Sequence, residues 1–360
     1  MSLSCGLVGI TACGKTTIYN AITAAGAASY DGTETHRAVV NVPDPRLQAL
    51  AEIYHPQRIV PATLKVVDIP GLKTGAGDKT GRGSQLLAHI KDVDALLHVV
   101  RCFAPGDDPA GAGSIDPVRD VETIDLDMMV ADSQTLQNKI ERLAKKLKAG
   151  DKESARQTAD CQKVKDGLEQ GVPARRQGLN EREEDSVREC NLVSLKPVLY
   201  IANISAMADA DGPHVRALQA LAAGEGTEVI PICGRDEADI SQLDPADRPE
   251  FLAELGLKES SMTRLLQAAY RKLGLVNFFT VGEDEVRAWT CRRGDRAPVA
   301  AGKIHTDMER GFIRMEVMST PDLLELGSEA AVVKAGKQRL EGKSYEVQEG
   351  DIVTVLFNTG

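Results

Sequence analysis

Gly9-Ile10-Thr11-Ala12-Cys13-Gly14-Lys15-Thr16 sets two glycines around four residues and follows them at once with lysine and threonine. An apolar run, Ser4 to Ile10, leads into this stretch, and Lys15 to Ala25 follows with the apolar spacing of a helix. A strand, a tight turn and a helix in that order form the phosphate-binding unit of nucleotide-binding α/β proteins. Glycines let backbone N–H groups turn inward around an anion, and the helix N-terminus adds positive partial charge. Lys15 is thereby placed to reach β- and γ-phosphates and the Thr16 hydroxyl to ligate magnesium, which makes both candidate catalytic residues. Gly9, Thr11, Ala12, Cys13, Gly14 and Thr17 complete the candidate nucleotide-binding loop. The competing reading, a glycine turn that happens to carry this spacing, is disfavoured by the flanking strand and helix.

Outward from the loop, six short runs rich in β-branched residues predict strands of a mostly parallel sheet: Ser4 to Ile10, Arg37 to Val42, Thr63 to Ile69, Ala95 to Phe103, Pro197 to Asn203 and Glu228 to Cys233. Asp68-Ile69-Pro70-Gly71 ends the third of them. In a parallel sheet an acid there stands beside the phosphate loop, so Asp68 is a candidate magnesium holder through water, and the Gly71 N–H a candidate γ-phosphate contact. Together with the upstream loop, the D-x-x-G spacing points to the GTPase-like branch. Gly75, Gly77, Gly81 and Gly83 follow closely and are read as a loop that orders on triphosphate, with an ordinary surface loop as the alternative.

Base recognition carries a weaker signal. GTPases place Asn-Lys-x-Asp after a late strand, the carboxylate pairing with guanine N–H donors. Here Asn203-Ile204-Ser205-Ala206 stands at that place without the acid, which removes the physical basis of guanine preference. Asn203 and Ile204, with Cys233 and Gly234 after the sixth strand, are the candidate base-pocket residues.

The remaining composition bounds the function. Aliphatic side chains dominate and aromatics make up only 4% of the 360 residues, the balance of an α/β protein. Forty-three basic against 53 acidic residues leave a net charge of −10, which argues against blanket adhesion to nucleic acid or anionic membrane. Seven cysteines without a C-x-x-C pair indicate neither a disulfide framework nor a zinc ribbon and fit a reducing cytosol. No basic leader and no long uncharged apolar run is present, so a soluble cytoplasmic protein is expected. No Ser/His/Asp triad or metal-spaced His/Cys cluster competes as an active site.

Between the fourth and fifth predicted strands the text turns polar and lysine-rich. Leu136, Ile140, Leu143 and Leu147 form a short heptad seam, Gly150 breaks it, and Cys161, Val164 and Leu168 resume it, so residues 130–190 are read as an inserted helical hairpin. Lys145, Lys146, Lys148 and Lys152 are read as a solvated helix face, phosphate contact being the alternative. From Asn277 short strands return, with Glu285 to Thr290, Phe312 to Met318 and Asp351 to Phe357 the clearest and a short helix near Pro321 to Leu326, which makes a small α+β module. Arg292, Arg293, Arg296 and Lys303 are its densest basic grouping and a candidate RNA contact, diluted by Asp295, Asp307 and Glu309. Two single residues have plain local readings. Cys13 is a small residue tolerated in a tight loop, with an oxidisable thiol as the sharper alternative, and His305 is a local hydrogen-bonding residue before it is an RNA contact.

Several longer stretches carry a family resemblance: Val42-Pro43-Asp44-Pro45-Arg46-Leu47, His98-Val99-Val100-Arg101-Cys102-Phe103, Lys196 to Asn203, Val286-Arg287-Ala288-Trp289-Thr290, Ala301 to Asp307 and Gly311-Phe312-Ile313-Arg314. With the phosphate loop, they make the chain resemble, over nearly its full length, the YchF subfamily of Obg-related P-loop NTPases, also called Obg-like ATPases. The resemblance implies a Ras-like nucleotide domain, an inserted coiled coil and a terminal β-grasp-like TGS domain, together with ATP use and association with ribosomes. Three positions depart from the family pattern. The family writes N-x-x-E where Ala206 ends the motif here; its catalytic histidine has no counterpart between Ala104 and Asp116; and its first-switch threonine aligns with Gly32, leaving Thr33 or Thr35 as a shifted magnesium ligand. Leu72 follows the family in placing an apolar residue where Ras-type enzymes orient water with glutamine.

The expected protein is therefore α/β, with a discontinuous P-loop domain over residues 1–129 and 191–276, the hairpin over 130–190 and the TGS domain over 277–360. Its expected function is slow, magnesium-dependent hydrolysis of ATP, or of GTP, as a conformational switch. A ribosome or ribosomal RNA is the expected partner, with no role for DNA or membrane. The alternative is a nucleotide-binding regulator without significant hydrolysis.

Overall fold

A computed structural model describes residues 3–25, 29–30, 37–69, 82–103, 115–147, 151–244 and 246–358. By compactness the chain divides into two units, Met1–Val39 with Lys65–Leu265, and Val40–Leu64 with Leu266–Gly360.

Through the first hundred residues the elements are β1 (Ser4–Val8), α1 (Lys15–Ala25), β2 (Ser29–Tyr30), β3 (Arg37–Asn41), α2 (Pro45–Tyr54), β4 (Arg58–Val60), β5 (Thr63–Asp68), α3 (Arg82–Lys91) and β6 (Ala95–Arg101). Then come α4 (Pro117–Leu147), α5 (Lys152–Glu169), α6 (Glu181–Arg188), β7 (Val198–Asn203), α7 (Pro213–Gly224), β8 (Val229–Ile232), α8 (Gly234–Gln242), α9 (Arg248–Glu254) and α10 (Ser261–Lys272). The first unit is built on a seven-stranded sheet in the order β2-β3-β5-β1-β6-β7-β8. β1 pairs in parallel with β5 and β6, β6 with β7, and β7 with β8. Every residue of β1, β6 and β7 is buried, as helices on both faces of a parallel sheet demand. All six predicted strands appear within two residues at each end. β2 and β4, two and three residues long, carry too little pattern to be read.

The hairpin is present, and its first helix starts at Pro117, well before residue 130. The physical reason lies in which side chains α4 buries. Val121, Ile124 and Met128 pack into the sheet core, while Leu136 packs with Cys161, Val164 and Leu168 of α5. Interleaved with them are three buried acids, Asp120, Asp125 and Asp132. These acids conceal the apolar stripe in the text, and tertiary partners make Asp125 and Asp132 tolerable. Asp132, 1% exposed, accepts hydrogen bonds from the Val193 N–H at 3.0 Å, the Ser194 N–H at 2.7 Å and the Ser194 hydroxyl at 2.6 Å. Asp125 meets the buried Arg175 guanidinium at 2.7 Å, and Arg175 also binds Glu225 at 3.1 Å.

The second unit holds β9 (Leu275–Thr280), β10 (Glu285–Arg292), α11 (Ala297–Ile304), α12 (Thr306–Arg310), β11 (Phe312–Ser319), α13 (Thr320–Leu326), α14 (Glu329–Lys334), β12 (Arg339–Glu341) and β13 (Asp351–Phe357). Its sheet runs β12-β11-β13-β9-β10-β4. The three predicted terminal strands appear as β10, β11 and β13, with β9 and β12 unread in the sequence, and α11 lays Ala297, Ala300 and Ala301 onto Phe278, Met315 and Val317. Residues 40–64 belong to this unit: β4 pairs with β10, and the Arg46 guanidinium, 5.0 Å over the Phe279 ring, bridges Asp44 and Glu349. His305 takes its local role, its Nδ1 accepting from the Asp307 N–H at 3.2 Å to cap α12.

Candidate functional site

The site follows from the sheet. β1, β5, β6 and β7 are parallel, so their carboxyl ends open on one side, where loops collect the polar side chains. The loop after β1 turns through two left-handed residues, Ala12 at φ +65° and Gly14 at φ +85°. At Gly14 glycine is required twice over, because a Cβ would also strike the Asn203 amide. Gly9 is held as closely; a Cβ there would lie 2.5 Å from the Cys13 sulfur and 2.7 Å from the Val99 carbonyl oxygen. The Ile18 N–H then bonds the Gly14 carbonyl at 3.0 Å and starts the regular turns of α1.

Two long-range contacts hold this turn. The Lys15 ammonium forms an ion pair with the Asp68 carboxylate from the end of β5, both side chains nearly buried. The Asn203 side chain, at the end of β7 and 6% exposed, donates to the Cys13 carbonyl at 2.9 Å. Its oxygen accepts from the Gly234 N–H at 3.3 Å, so one amide ties the phosphate loop to the start of α8. The Cys233 thiol donates to the Ser205 carbonyl at 3.2 Å.

The predicted residues therefore converge. Lys15 and Asp68 touch; Cys13, Gly14, Asn203 and Gly234 touch; Ile204 is buried beneath them at 3% exposure, and Thr11, Thr16 and Thr17 lie exposed on the loop. Gly71, Leu72, Thr33, Thr35 and the glycines at 75, 77 and 81 lie outside the described residues, as does most of the loop after Phe103. Cys13 is wholly buried, and burial pushes its thiol up to about 11, against the lowering exerted by neighbouring backbone hydrogen bonding and Lys15. That favours the plain reading of Cys13, a small residue held in a tight loop, over its alternative of an oxidisable thiol, because burial disfavours the thiolate.

Beside the loop opens a cavity of about 330 Å³ whose walls include Gly14, Thr17 and Asn203. Its other walls bring in residues that sequence reasoning passed over: Phe103 from the end of β6, and Arg235, Ala238 and Asp239 from α8. Their signal in the text is faint, since an acid five residues beyond Gly234 matches no motif. Only the helix, by placing positions 235 and 239 one turn apart, presents them together.

The fold and site together define a P-loop nucleotide-binding protein of the GTPase-like branch, joined to a second α+β unit. A family model described as "50S ribosome-binding GTPase" matches residues 4–156, and the YchF-GTPase carboxyl-terminal model, described as "Protein of unknown function (DUF933)", matches residues 275–358. The "Ribosome-binding ATPase YchF" of Haemophilus influenzae and that of Bacillus subtilis are each 42% identical to this chain, over 99% of it and 100% of their own length. A solved structure of the Schizosaccharomyces pombe YchF GTPase is 33% identical and superposes with a TM-score of 0.86, covering 99% of this chain and 98% of the other. The chain belongs to the YchF family.

Proposed function

We propose that this chain is a cytoplasmic, ribosome-associated NTPase that binds ATP in the 9–17 loop and hydrolyses it slowly to ADP and phosphate as a conformational switch. The observation that carries the proposal is the Lys15–Asp68 pair at the mouth of a loop braced by Asn203. A lysine so placed meets the β- and γ-phosphate oxygens, with the loop N–H groups, and neutralises charge that grows as water attacks the γ-phosphorus and the β,γ-bridging bond breaks. GTP is the second candidate substrate: the two bacterial relatives are named ATPases and the Schizosaccharomyces pombe relative a GTPase.

The donor set suits magnesium. The Thr16 hydroxyl is a hard oxygen ligand and the Asp68 carboxylate would hold the ion through water, the pattern of a magnesium site in which phosphates and water supply the remaining oxygens. Magnesium so held would supply charge neutralisation between the β- and γ-phosphates. Gly71 stands as a γ-phosphate donor on sequence spacing, and Thr33 or Thr35 as a further magnesium ligand on the family resemblance.

A second reading has specific support. Leu72 replaces a water-orienting side chain, and no histidine stands between Ala104 and Asp116, which favours a nucleotide sensor without significant turnover. Calorimetric titration with ATP and GTP in magnesium, followed by phosphate release from the wild type and Lys15→Ala, separates the two. Hydrolysis requires release that falls at least about a hundredfold in the variant, the usual scale for loss of a charge-stabilising contact. Binding without Lys15-dependent release establishes the sensor, and failure to bind either nucleotide removes both readings.

A further inference from the structure

The loop between Asn203 and Ala206 lacks the acid that reads the base in related proteins, yet the cavity beside the phosphate loop is not without one. Asp239 is a wall of that cavity and, among its described lining residues, the sole carboxylate. It is exposed, and among the described residues it has neither a hydrogen bond nor an ion pair. Arg235, one turn earlier on α8 and also lining the cavity, is likewise exposed and unpaired. An acid and a base four residues apart on a helix ordinarily pair with each other. Here both line a cavity whose walls also include Phe103, Asn203 and Gly234, the last two joined by a hydrogen bond.

We propose that Asp239 is the specificity-determining acid of the base pocket, accepting a hydrogen bond from the exocyclic amino group of the purine and so replacing, from α8, the acid missing at Ala206. The inference rests on the reading that the 9–17 loop binds ATP. With the triphosphate at Gly14 to Thr17, the nucleoside end is carried along the cavity walls toward α8, because Gly14 and Thr17 are themselves lining residues. A carboxylate can only accept, so it selects for a ring amino group and against a bare ring carbon. Hydrogen bonds to a charged partner carry the larger net contributions, and at an exposed rim the lower end applies, about tenfold in affinity.

The test uses the full chain and calorimetric titration, in magnesium, with ATP and with purine riboside triphosphate, which lacks only the 6-amino group. The expected wild-type result is about tenfold tighter binding of ATP. In Asp239→Ala that preference disappears through loss of ATP affinity while purine riboside triphosphate binds as before, and Asp239→Asn, which keeps an acceptor oxygen without the charge, falls between. Arg235→Ala retains the preference. Equal wild-type affinity for the two nucleotides, or a preference that persists in Asp239→Ala, overturns the assignment while leaving nucleotide binding intact. An equal loss for both nucleotides in Asp239→Ala overturns it as well, since that pattern marks damage to the phosphate loop or to folding. Absence of wild-type binding to either nucleotide overturns the phosphate-loop reading and this one with it.

Discussion

At the scale of single residues, Asn203 does most to make the phosphate loop a site. Its two partners fix the orientation of its amide, because the Cys13 carbonyl can only accept and the Gly234 N–H can only donate. Asn203→Ala leaves both buried groups unpaired, and a stability loss of about 2 kcal/mol is expected by urea unfolding, from roughly 1 kcal/mol per bond. Asn203→Asp is expected to be the worse substitution despite its identical shape, since a carboxylate cannot donate to the Cys13 carbonyl and repels it. Calorimetry with ATP should show weaker binding in both. If alanine proved as stable as the wild type, the brace would be incidental. The sequence flagged Asn203 as a base or bracing residue, and the structure assigns the bracing contact.

At the scale of elements, the inserted hairpin shows how polar residues disguise a core helix. A textual seam begins only at Leu136, because upstream the buried positions of α4 alternate with Asp120, Asp125 and Asp132. Each such acid needs a partner from elsewhere in the chain, since an unpaired buried polar group costs more than a hydrogen bond returns. Asp132→Ala strips the acceptor from two backbone N–H groups and one hydroxyl of the turn before β7. About 3 kcal/mol of destabilisation is expected by denaturant titration, with Asp132→Asn retaining part of it through its amide oxygen. An effect under about 1 kcal/mol would mean that water replaces those contacts. The hairpin's existence was legible because Leu136, Leu143, Cys161, Val164 and Leu168 repeat at helical spacing. Its true start was not, because the compensating partners Ser194 and Arg175 lie some 50 or more residues away.

At the scale of the whole molecule, the central sheet carries a buried base with consequences for pH. His98 on β6 is 2% exposed, with its ring 5.6 Å from that of Tyr200 on β7. The buried Arg175, itself tied to Asp125 of α4 and to Glu225 beyond α7, faces the same region. Burial first, and the Arg175 charge second, lower the imidazole from 6.5 to about 3, so His98 is neutral in the native protein. The unfolded chain binds this proton more readily than the native one. His98 therefore favours the native state above its unfolded value, and that contribution is lost as pH falls from 6.5 toward about 3. Within this window the slope approaches about 1.4 kcal/mol per pH unit for the one proton. Urea titrations at pH about 7 and about 5 should give a smaller pH-dependent difference for His98→Gln than for the wild type, by an amount set by that slope. Equal differences would show that carboxylates alone govern acid stability.

From text alone the phosphate loop, the parallel strands beside it, the helical hairpin and the terminal α+β module were all readable. Each is written in local code: glycine spacing, β-branched runs and helical periodicity act between neighbours along the chain, so a single sequence suffices to express them. What only the folded chain decided depends on residues far apart in sequence. Asn203 clasps the loop at Cys13, Asp239 joins the wall beside Gly14, Asp125 and Asp132 of α4 find their partners, and β4, between two strands of the first sheet in sequence, pairs with β10 instead. Such contacts arise when the sheet brings distant strand ends to one edge, and the identity of either partner does not reveal the other until packing has chosen between them.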